Sequence, residues 1–277
     1  MTRGLPALLG TDPAAPFPDP STALREPDGL LAIGGDLKPR RLLNAYANGI
    51  FPWYSQGQPL LWWSPDPRAV FATDHVHLSS RLRRTLRRSD WTVVADRAFD
   101  QVVLACANAP GRGGHGTWIT DAMRAAYSTL HALGHAHSIE VLDRQSRLVG
   151  GLYGVAVGRM FFGESMFSGE SGGSTIALAA LARTLHGWGW PLLDAQVENA
   201  HLRRLGMRSW PRPRFIAEVR RLAGLPGRTG SWHEAFGTQA VASLGSAAAD
   251  PAGPDQDPDV GADVGMDPCA SADPDAV

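Results

Sequence analysis

A chain of 277 residues, 44% of them hydrophobic, has room for one large domain or two modest ones and enough apolar side chains for a sizeable core. It has no apolar run near the ~20 residues that span a membrane, no apolar signal-peptide stretch near Met1, and only two cysteines, Cys106 and Cys269. A disulfide framework and a CxxC metal pair are therefore excluded, no membrane is expected, and the reading is a reducing cytoplasm.

The net charge of −1 hides a division. Residues 237–277 hold eight Asp and no Lys or Arg, which leaves 26 basic against 19 acidic side chains, a net +7, in the body before them. Such a body favours an anionic partner.

Residues 1–30 are Pro-rich and read as extended. A helix is expected over Lys38–Asn48, with Pro39 in its first turn and Gly49 after its end. Ile50 to Arg68 is too Pro-rich for a helix and too aromatic for a solvated loop, so packed irregular structure or short strands are expected. Ser79–Arg88 reads as a basic helix and Trp91–Ala95 as a strand. Asp96 is the expected N-cap of a helix to Ala107, and Thr120 that of a helix ending before Gly134. Gly111–Gly116 is a Gly-rich insertion between them.

Strands are expected at Ser138–Leu142, Leu148–Val157 and Met160–Met166, the last two joined by a Gly158-Arg159 hairpin turn of II′ form. A helix follows from Ser174 to about Gly187, then a strand at Pro191–Val197 and helices near 199–205 and 213–223. From Gly237 onward the Ala/Asp/Gly/Pro composition buries too little apolar surface to order the chain, and a disordered acidic tail is expected.

Two apolar runs carry polar groups that a core strand should lack. They are Phe162-Gly163-Glu164-Ser165-Met166-Phe167 and Leu192-Leu193-Asp194-Ala195-Gln196-Val197. Burying an unpaired carboxylate costs several kcal/mol or forces its neutralisation, so these positions point to a lined pocket. On a regular strand Asp194 and Gln196 share one face, and Leu193, Ala195 and Val197 the other. A strand-end acid capping a nearby N–H is the plain alternative for Glu164 and Asp194.

Eight strings in one order, over roughly residues 17–220, resemble the bacterial leucyl/phenylalanyl-tRNA–protein transferase family. They are Leu24–Ala32, Gly34–Leu37, Gly49–Trp53, Trp62–Arg68, Gly116–Thr120, Gly134–Glu140, Gly163–Ser168 and Asp194–Val197. The resemblance implies transfer of Leu, Phe and less readily Met from aminoacyl-tRNA to an N-terminal Arg or Lys of an acceptor protein. Such a product is marked for N-end rule degradation.

The resemblance further implies an α+β chain with a small N-terminal domain over residues 1–75. A larger GNAT-like domain over 76–236 would follow, with a mixed, mostly antiparallel sheet, and then the tail at 237–277. It implies a monomer, with no cofactor and no metal. It places Asp194 and Gln196 at the catalytic centre, and the chemistry adds Glu164. Asp194 is expected to orient the attacking amine, with a part in proton transfer left open. Gln196 is expected to hydrogen-bond near the reacting carbonyl, and Glu164 to supply negative charge for an acceptor Arg or Lys. Leu152, Phe161, Met166, Leu178, Leu181 and Leu193 line its aminoacyl pocket, and Trp53 and Trp118 hold the terminal adenosine of the tRNA.

The basic run Arg81, Arg83, Arg84, Arg87 and Arg88 is the expected phosphate contact. Its plain alternative is a solvated helix face, as core packing is for the apolar set and the tryptophans. His135 and His137 lack a third ligand and read as structural, and Ser165 lies outside a GxSxG frame. Ser168, Ser171 and Ser174 around Gly169–Gly173 read either as a phosphate cradle or as a plain loop. The chain departs from the family at Thr175, where a Lys usually stands, and at the Gly111–Gly114 insertion.

Two other functions compete. One is an acyl-CoA-dependent GNAT-type acyltransferase, for which no convincing Gly-rich pyrophosphate loop follows a strand. The other is a non-catalytic tRNA-binding protein, which would tolerate loss of the three polar residues that are all present here. For the acidic tail, screening of the basic body against nonspecific RNA is the reading.

Overall fold

A computed structural model describes residues 5–109 and 118–246, so the expected Gly111–Gly116 insertion and everything beyond Ser246 lie outside the described residues. Proline and glycine interrupt each apolar run of the first 65 residues, and its strands are short as a result. They are β1 (Ala7–Leu9), β2 (Leu30–Gly34), β3 (Phe51–Pro52) and β4 (Leu61–Trp63), in the order β1-β2-β4-β3. Helix α1 (Pro39–Ala47) opens with Pro39, whose missing N–H would be unpaired there anyway, and buries Leu42, Ala45 and Tyr46 along one face. The aromatic segment combines short strands with packed loops, and the indole of buried Trp62 donates to the Gly34 carbonyl at 2.9 Å.

The rest of the chain builds one eight-stranded sheet. Its strands are β5 (Arg68–Ala72), β6 (Thr92–Ala95), β7 (Ala136–Leu142), β8 (Leu148–Val157), β9 (Met160–Ser168), β10 (Leu192–Gln196), β11 (Arg208–Trp210) and β12 (Gln239–Ala240). They lie in the order β11-β5-β10-β9-β8-β7-β6-β12, and every neighbouring pair is antiparallel except β9 with β10. A two-residue turn joins β8 to β9, with Gly158 supplying the positive φ of 59°.

Because β5 already belongs to this sheet, the small N-terminal sheet ends at Trp63, short of the expected boundary at residue 75. The two sheets also share an apolar cluster, in which Tyr46, Phe51 and Trp62 join Tyr153 and Phe162.

Helices cover the large sheet: α2 (Ser80–Leu86), α3 (Phe99–Ala107), α4 (Asp121–Ala132), α5 (Gly173–Gly187), α6 (Ala200–Arg204), α7 (Arg212–Ala223), α8 (His233–Phe236) and α9 (Val241–Ser246). Thr120 caps α4 as expected, accepting from the Met123 N–H. Asp96 does not cap α3, whose N-cap is Ala98. With φ at 57°, Asp96 turns its carboxylate instead to His137 and to the N–H groups of Ser138 and Trp232. Part of the segment expected as a disordered tail from Gly237 is ordered. Residues 239–246 form β12 and α9, because Val241 and Leu244 find a place in the core.

Two apolar clusters take the alternating side chains of the sheet. One holds residues of α1, α3, α4 and α7, and the other those of α2, α5, α8 and α9. Along β9 the alternation breaks at one residue. Met160 and Phe162 join the first cluster and Phe161 the second, yet beyond Glu164 it is Phe167 that joins the first and Met166 the second. Along β10, Leu193 and Ala195 face the second cluster, while Val197, expected beside them, packs on the first.

Candidate functional site

Both breaks are β-bulges, and they lie side by side. The parallel β9–β10 ladder ends at the Asp194–Phe162 pair. On β9, Gly163 pairs with Gly154 and Ser165 with Tyr153, which leaves Glu164 as the extra residue. On β10 the register slips between Asp194 and Gln196, and Gln196 takes a left-handed φ of 61°. A bulge re-aims one side chain and reverses the facing of those after it. Here the pair turns Glu164 and Gln196 toward each other. Gly154 permits the close approach, since a Cβ there would lie 2.2 Å from the Phe162 carbonyl oxygen.

Glu164 is 2% exposed. Its Oε1 accepts from the Tyr46 hydroxyl (2.7 Å) and from Gln196 Nε2 (2.9 Å), and its Oε2 accepts from the Tyr127 hydroxyl (2.6 Å). The two hydroxyl oxygens are 2.7 Å apart. Burial overrides these donors and, with the Asp194 charge nearby, pushes Glu164 from the usual 4.5 to about 7. Burial and the Glu164 charge push both tyrosines well above 10, so each keeps its proton at neutral pH.

Asp194 is fully buried and paired with Arg68. Arg68 Nε donates to Oδ1 (2.8 Å) and Nη2 to Oδ2 (2.7 Å), a two-pronged contact. The guanidinium lies 4.7 Å from the Phe51 ring centre and 4.6 Å from that of Phe215. Oδ1 also accepts the Gln196 N–H at 2.9 Å, which ties the bulge to the ion pair. Three donors thus hold the buried Asp194 carboxylate in place.

The six apolar residues expected as a pocket (Leu152, Phe161, Met166, Leu178, Leu181 and Leu193) line one cavity. Phe71, Tyr153, Gly163, Ala195 and Leu202 complete it. Gly163 and Ala195 are the chain neighbours of Glu164 and of Gln196, so the cavity begins where the bulges are. It encloses about 10 Å³, room for roughly one water.

The other candidates are placed as follows. Trp53 is half-buried, 5.4 Å from Trp63 between ring centres, whereas Trp118 is 4% exposed and packed in the core. Arg81, Arg84, Arg87 and Arg88 are exposed on or just after α2, and Arg83 is half-buried with Nε donating to the Leu78 carbonyl (3.0 Å). His137 is buried against Asp96 and stacked on Trp232, with ring centres 3.7 Å apart, and is remote in contacts from Glu164. Ser168 accepts the Ser174 N–H (2.8 Å) at the start of α5, and Thr175 is buried in its first turn.

The sequence reading missed Arg68, Tyr46 and Tyr127. Arg68 opens the apolar run Arg68-Ala69-Val70-Phe71-Ala72, the same signal of a charge in a core strand that marked Asp194. The tyrosines lie on the buried faces of amphipathic helices, where nothing distinguishes them from core aromatics.

Comparison with known proteins gives one family. Residues 70–220 match the family model described as leucyl/phenylalanyl-tRNA protein transferase, and residues 35–66 match its N-terminal domain. A leucyl/phenylalanyl-tRNA–protein transferase of Xanthomonas campestris pv. campestris strain B100 is 64% identical over 244 residues, covering 88% of this chain and 98% of the relative. That of Xylella fastidiosa strain 9a5c is 60% identical over 234 residues, covering 84% and 96%. Among solved structures, L-PGS from Bacillus licheniformis aligns over 61% of this chain and 53% of its own, with 11% identity and a TM-score of 0.35.

Proposed function

The chain belongs to the leucyl/phenylalanyl-tRNA–protein transferase family, and we propose that the transfer this family performs takes place in the gap between β9 and β10. In this reading Glu164 is the acid–base group, Gln196 the positioning amide, and the apolar cavity the holder of the transferred side chain. The enzyme moves Leu or Phe from charged tRNA to protein. The acceptor is a protein with N-terminal Arg or Lys, as the sequence resemblance implies, and the cell compartment is the cytoplasm, as the two cysteines suggest. No helix among the described residues is long and apolar enough to cross a membrane. The large sheet is GNAT-like in this reading, supported by its mixed, mostly antiparallel order and the one parallel pair, β9–β10, whose ladder ends at the site.

The chemistry sets the roles. The acceptor α-amine attacks the ester carbonyl carbon, a C–N bond forms, and the C–O bond to the ribose breaks. The amine must lose a proton and the departing ribose oxygen must gain one. A free α-amine titrates at about 7.7–8.0, and Glu164, raised to about 7, is closely matched to it. A carboxylate at its ordinary value would be a weak base here. Tyr46 and Tyr127 hold the Glu164 anion through side-chain hydroxyls that can rotate when the proton arrives. Asp194 acts at one remove: with Arg68 it fixes the Gln196 backbone, and Gln196 in turn holds Glu164.

The cavity is nearly closed without a side chain in it. Leu or Phe enters by displacement of its lining, and Met166, unbranched and adaptable, is the side chain best able to move. Trp53, half-buried beside Trp63, is the ring available to stack on the terminal adenosine; Trp118 contributes by packing.

The observation that carries the reading is the buried Glu164–Gln196 contact at the paired bulges, whose chain neighbours Gly163 and Ala195 line the apolar cavity. The test mixes the protein with tRNA charged with labelled Leu or Phe and a peptide beginning with Arg. Label is expected on the peptide. Glu164→Gln is expected to slow single-turnover transfer by about 10²–10⁴-fold without loss of fold. A rate within a few-fold of wild type would remove Glu164 from proton transfer.

A further inference from the structure

The last described element leans on the arginine helix. A Cβ on Gly245 of α9 would lie 2.6 Å from the Arg83 carbonyl oxygen and 2.8 Å from the Arg87 backbone nitrogen, so α9 and α2 touch backbone to backbone. Arg87 Nη1 donates to the Gly245 carbonyl at 3.0 Å. Arg183 on α5 grips the same segment from its other side, donating to Ser243 Oγ (3.1 Å) and to Gln239 Oε1 (2.5 Å). The chain is therefore delivered, at Ser246, beside the densest basic run in the sequence.

The surface there suits an anion. Arg81, Arg84, Arg87 and Arg88 are exposed. A groove of about 450 Å³ runs along two of them, Arg84 and Arg88, with Thr85, Trp91 and Ser171 beside them and Asp90 as the one acid in its lining. Ser171 belongs to the loop before α5, and α5 carries Leu178 and Leu181 of the apolar cavity, so groove and cavity adjoin the same helix.

The chain beyond Ser246 supplies the complement. Its Asp residues stand at 250, 255, 257, 259, 263, 267, 273 and 275, with no Lys or Arg between them. Asp250 is four residues past Ser246. Four residues span at most ~14 Å, and the seven of α2 rise only ~10 Å, so the first acids reach every arginine on the helix. A segment tethered this closely is present at millimolar effective concentration.

We propose that the segment Asp250–Asp275 docks on the arginine face of α2 and its groove, an internal polyanion on a surface suited to phosphate. Displacement by tRNA then sets a threshold that weak, nonspecific RNA does not cross. This last consequence rests on α2 being a tRNA contact, and the experiment separates the two.

A thiol spin label on Cys269 of the full chain, with Cys106 buried, reports docking directly. Line broadening of α2 and Trp91 amide signals is expected near 50 mM salt, fading as salt rises and lost in Arg84→Gln/Arg88→Gln. No broadening at α2, or broadening that survives the arginine substitutions, overturns the proposal. In parallel, a full chain with all eight tail Asp changed to Asn is expected to bind uncharged tRNA about tenfold tighter at low salt, with a steeper salt dependence. Docking without that gain leaves the docked tail standing and removes α2 from the tRNA surface. A gain in tRNA affinity that Arg84→Gln/Arg88→Gln does not reduce overturns docking on α2 in favour of a diffuse charge effect.

Discussion

Two buried acid clusters flank β8 in the same sheet, and they are built differently. On the β9–β10 side, Glu164 is held by side-chain donors alone: two tyrosine hydroxyls and one amide. On the β7–β6 side, Asp96 accepts two backbone N–H groups, from Trp232 (2.7 Å) and Ser138 (3.0 Å), besides His137 Nδ1 (2.9 Å). Burial pushes both acids up. For Asp96 the partners win, His137 first and the two backbone N–H groups after it, and hold it below its ordinary value; for Glu164 burial wins, and it rises to about 7.

Backbone donors cannot leave, and with His137 beside them Asp96 stays charged at neutral pH and clamps the Trp232 segment to the sheet. Side-chain donors can turn, which in the proposed mechanism lets Glu164 take and return a proton. Glu140 adds a warning: burial raises it too, while it accepts from the Ser138 hydroxyl and the Ala98 N–H inside the sheet, so a raised acid is not by itself a site.

The largest expected effect tests the support of the first cluster. Arg68→Met leaves the Asp194 carboxylate buried without a counter-charge and is expected to lower stability in denaturant unfolding by about 3–5 kcal/mol. Arg68→Met/Asp194→Leu should recover much of that loss while transfer stays low, because the Gln196 bulge has lost its tie. A stable double variant with full activity would show that the ion pair positions nothing.

Next in size is a pH effect with opposite signs on the two sides of β8. Glu164 binds its proton more tightly folded than unfolded, so stability is expected to fall as pH rises from 4.5 to about 7, by about 3 kcal/mol. Glu164→Gln should abolish that slope. Asp96, lowered in the fold, contributes stability that is present above 3.8 and lost as pH falls below it. His137, lowered chiefly by burial, adds a loss that begins as pH falls below 6.5. Unfolding curves of Glu164→Gln and wild type that differ by a constant across pH 4.5–7 would contradict the raised acid.

The sequence made some of this legible. Polar residues in apolar runs marked Glu164, Asp194 and Gln196, and strand alternation put Leu193 and Ala195 on the cavity side. Helix ends followed from Pro39, Thr120 and Gly134. The bulges were not legible, because a one-residue slip leaves no composition signal: Val197 was assigned to the wrong face for that reason. The tyrosines were hidden because their hydroxyls matter only through a strand more than thirty residues away. Asp96 was misread because an Asp before a helix is usually a cap, and its actual partner, Trp232, lies 136 residues on.

The smallest expected effect asks whether the second cluster is only structural. Asp96→Asn keeps the side chain's shape but weakens acceptance from two backbone N–H groups and His137. A loss of about 1–3 kcal/mol is expected at pH 7. Because Asp96 contacts neither the cavity nor Glu164, kcat/KM for transfer should stay within about twofold below the unfolding transition, after correction for the folded fraction. The Trp232 segment continues into β12 and α9, so loosening it also weakens the seating of α9 on α2. Hydrogen exchange should therefore accelerate at residues 230–246 and leave β9 and β10 protected. Slowed chemistry with those two strands still protected would mean that the clusters are coupled through β8, and the division between a clamping acid and a working one would fail.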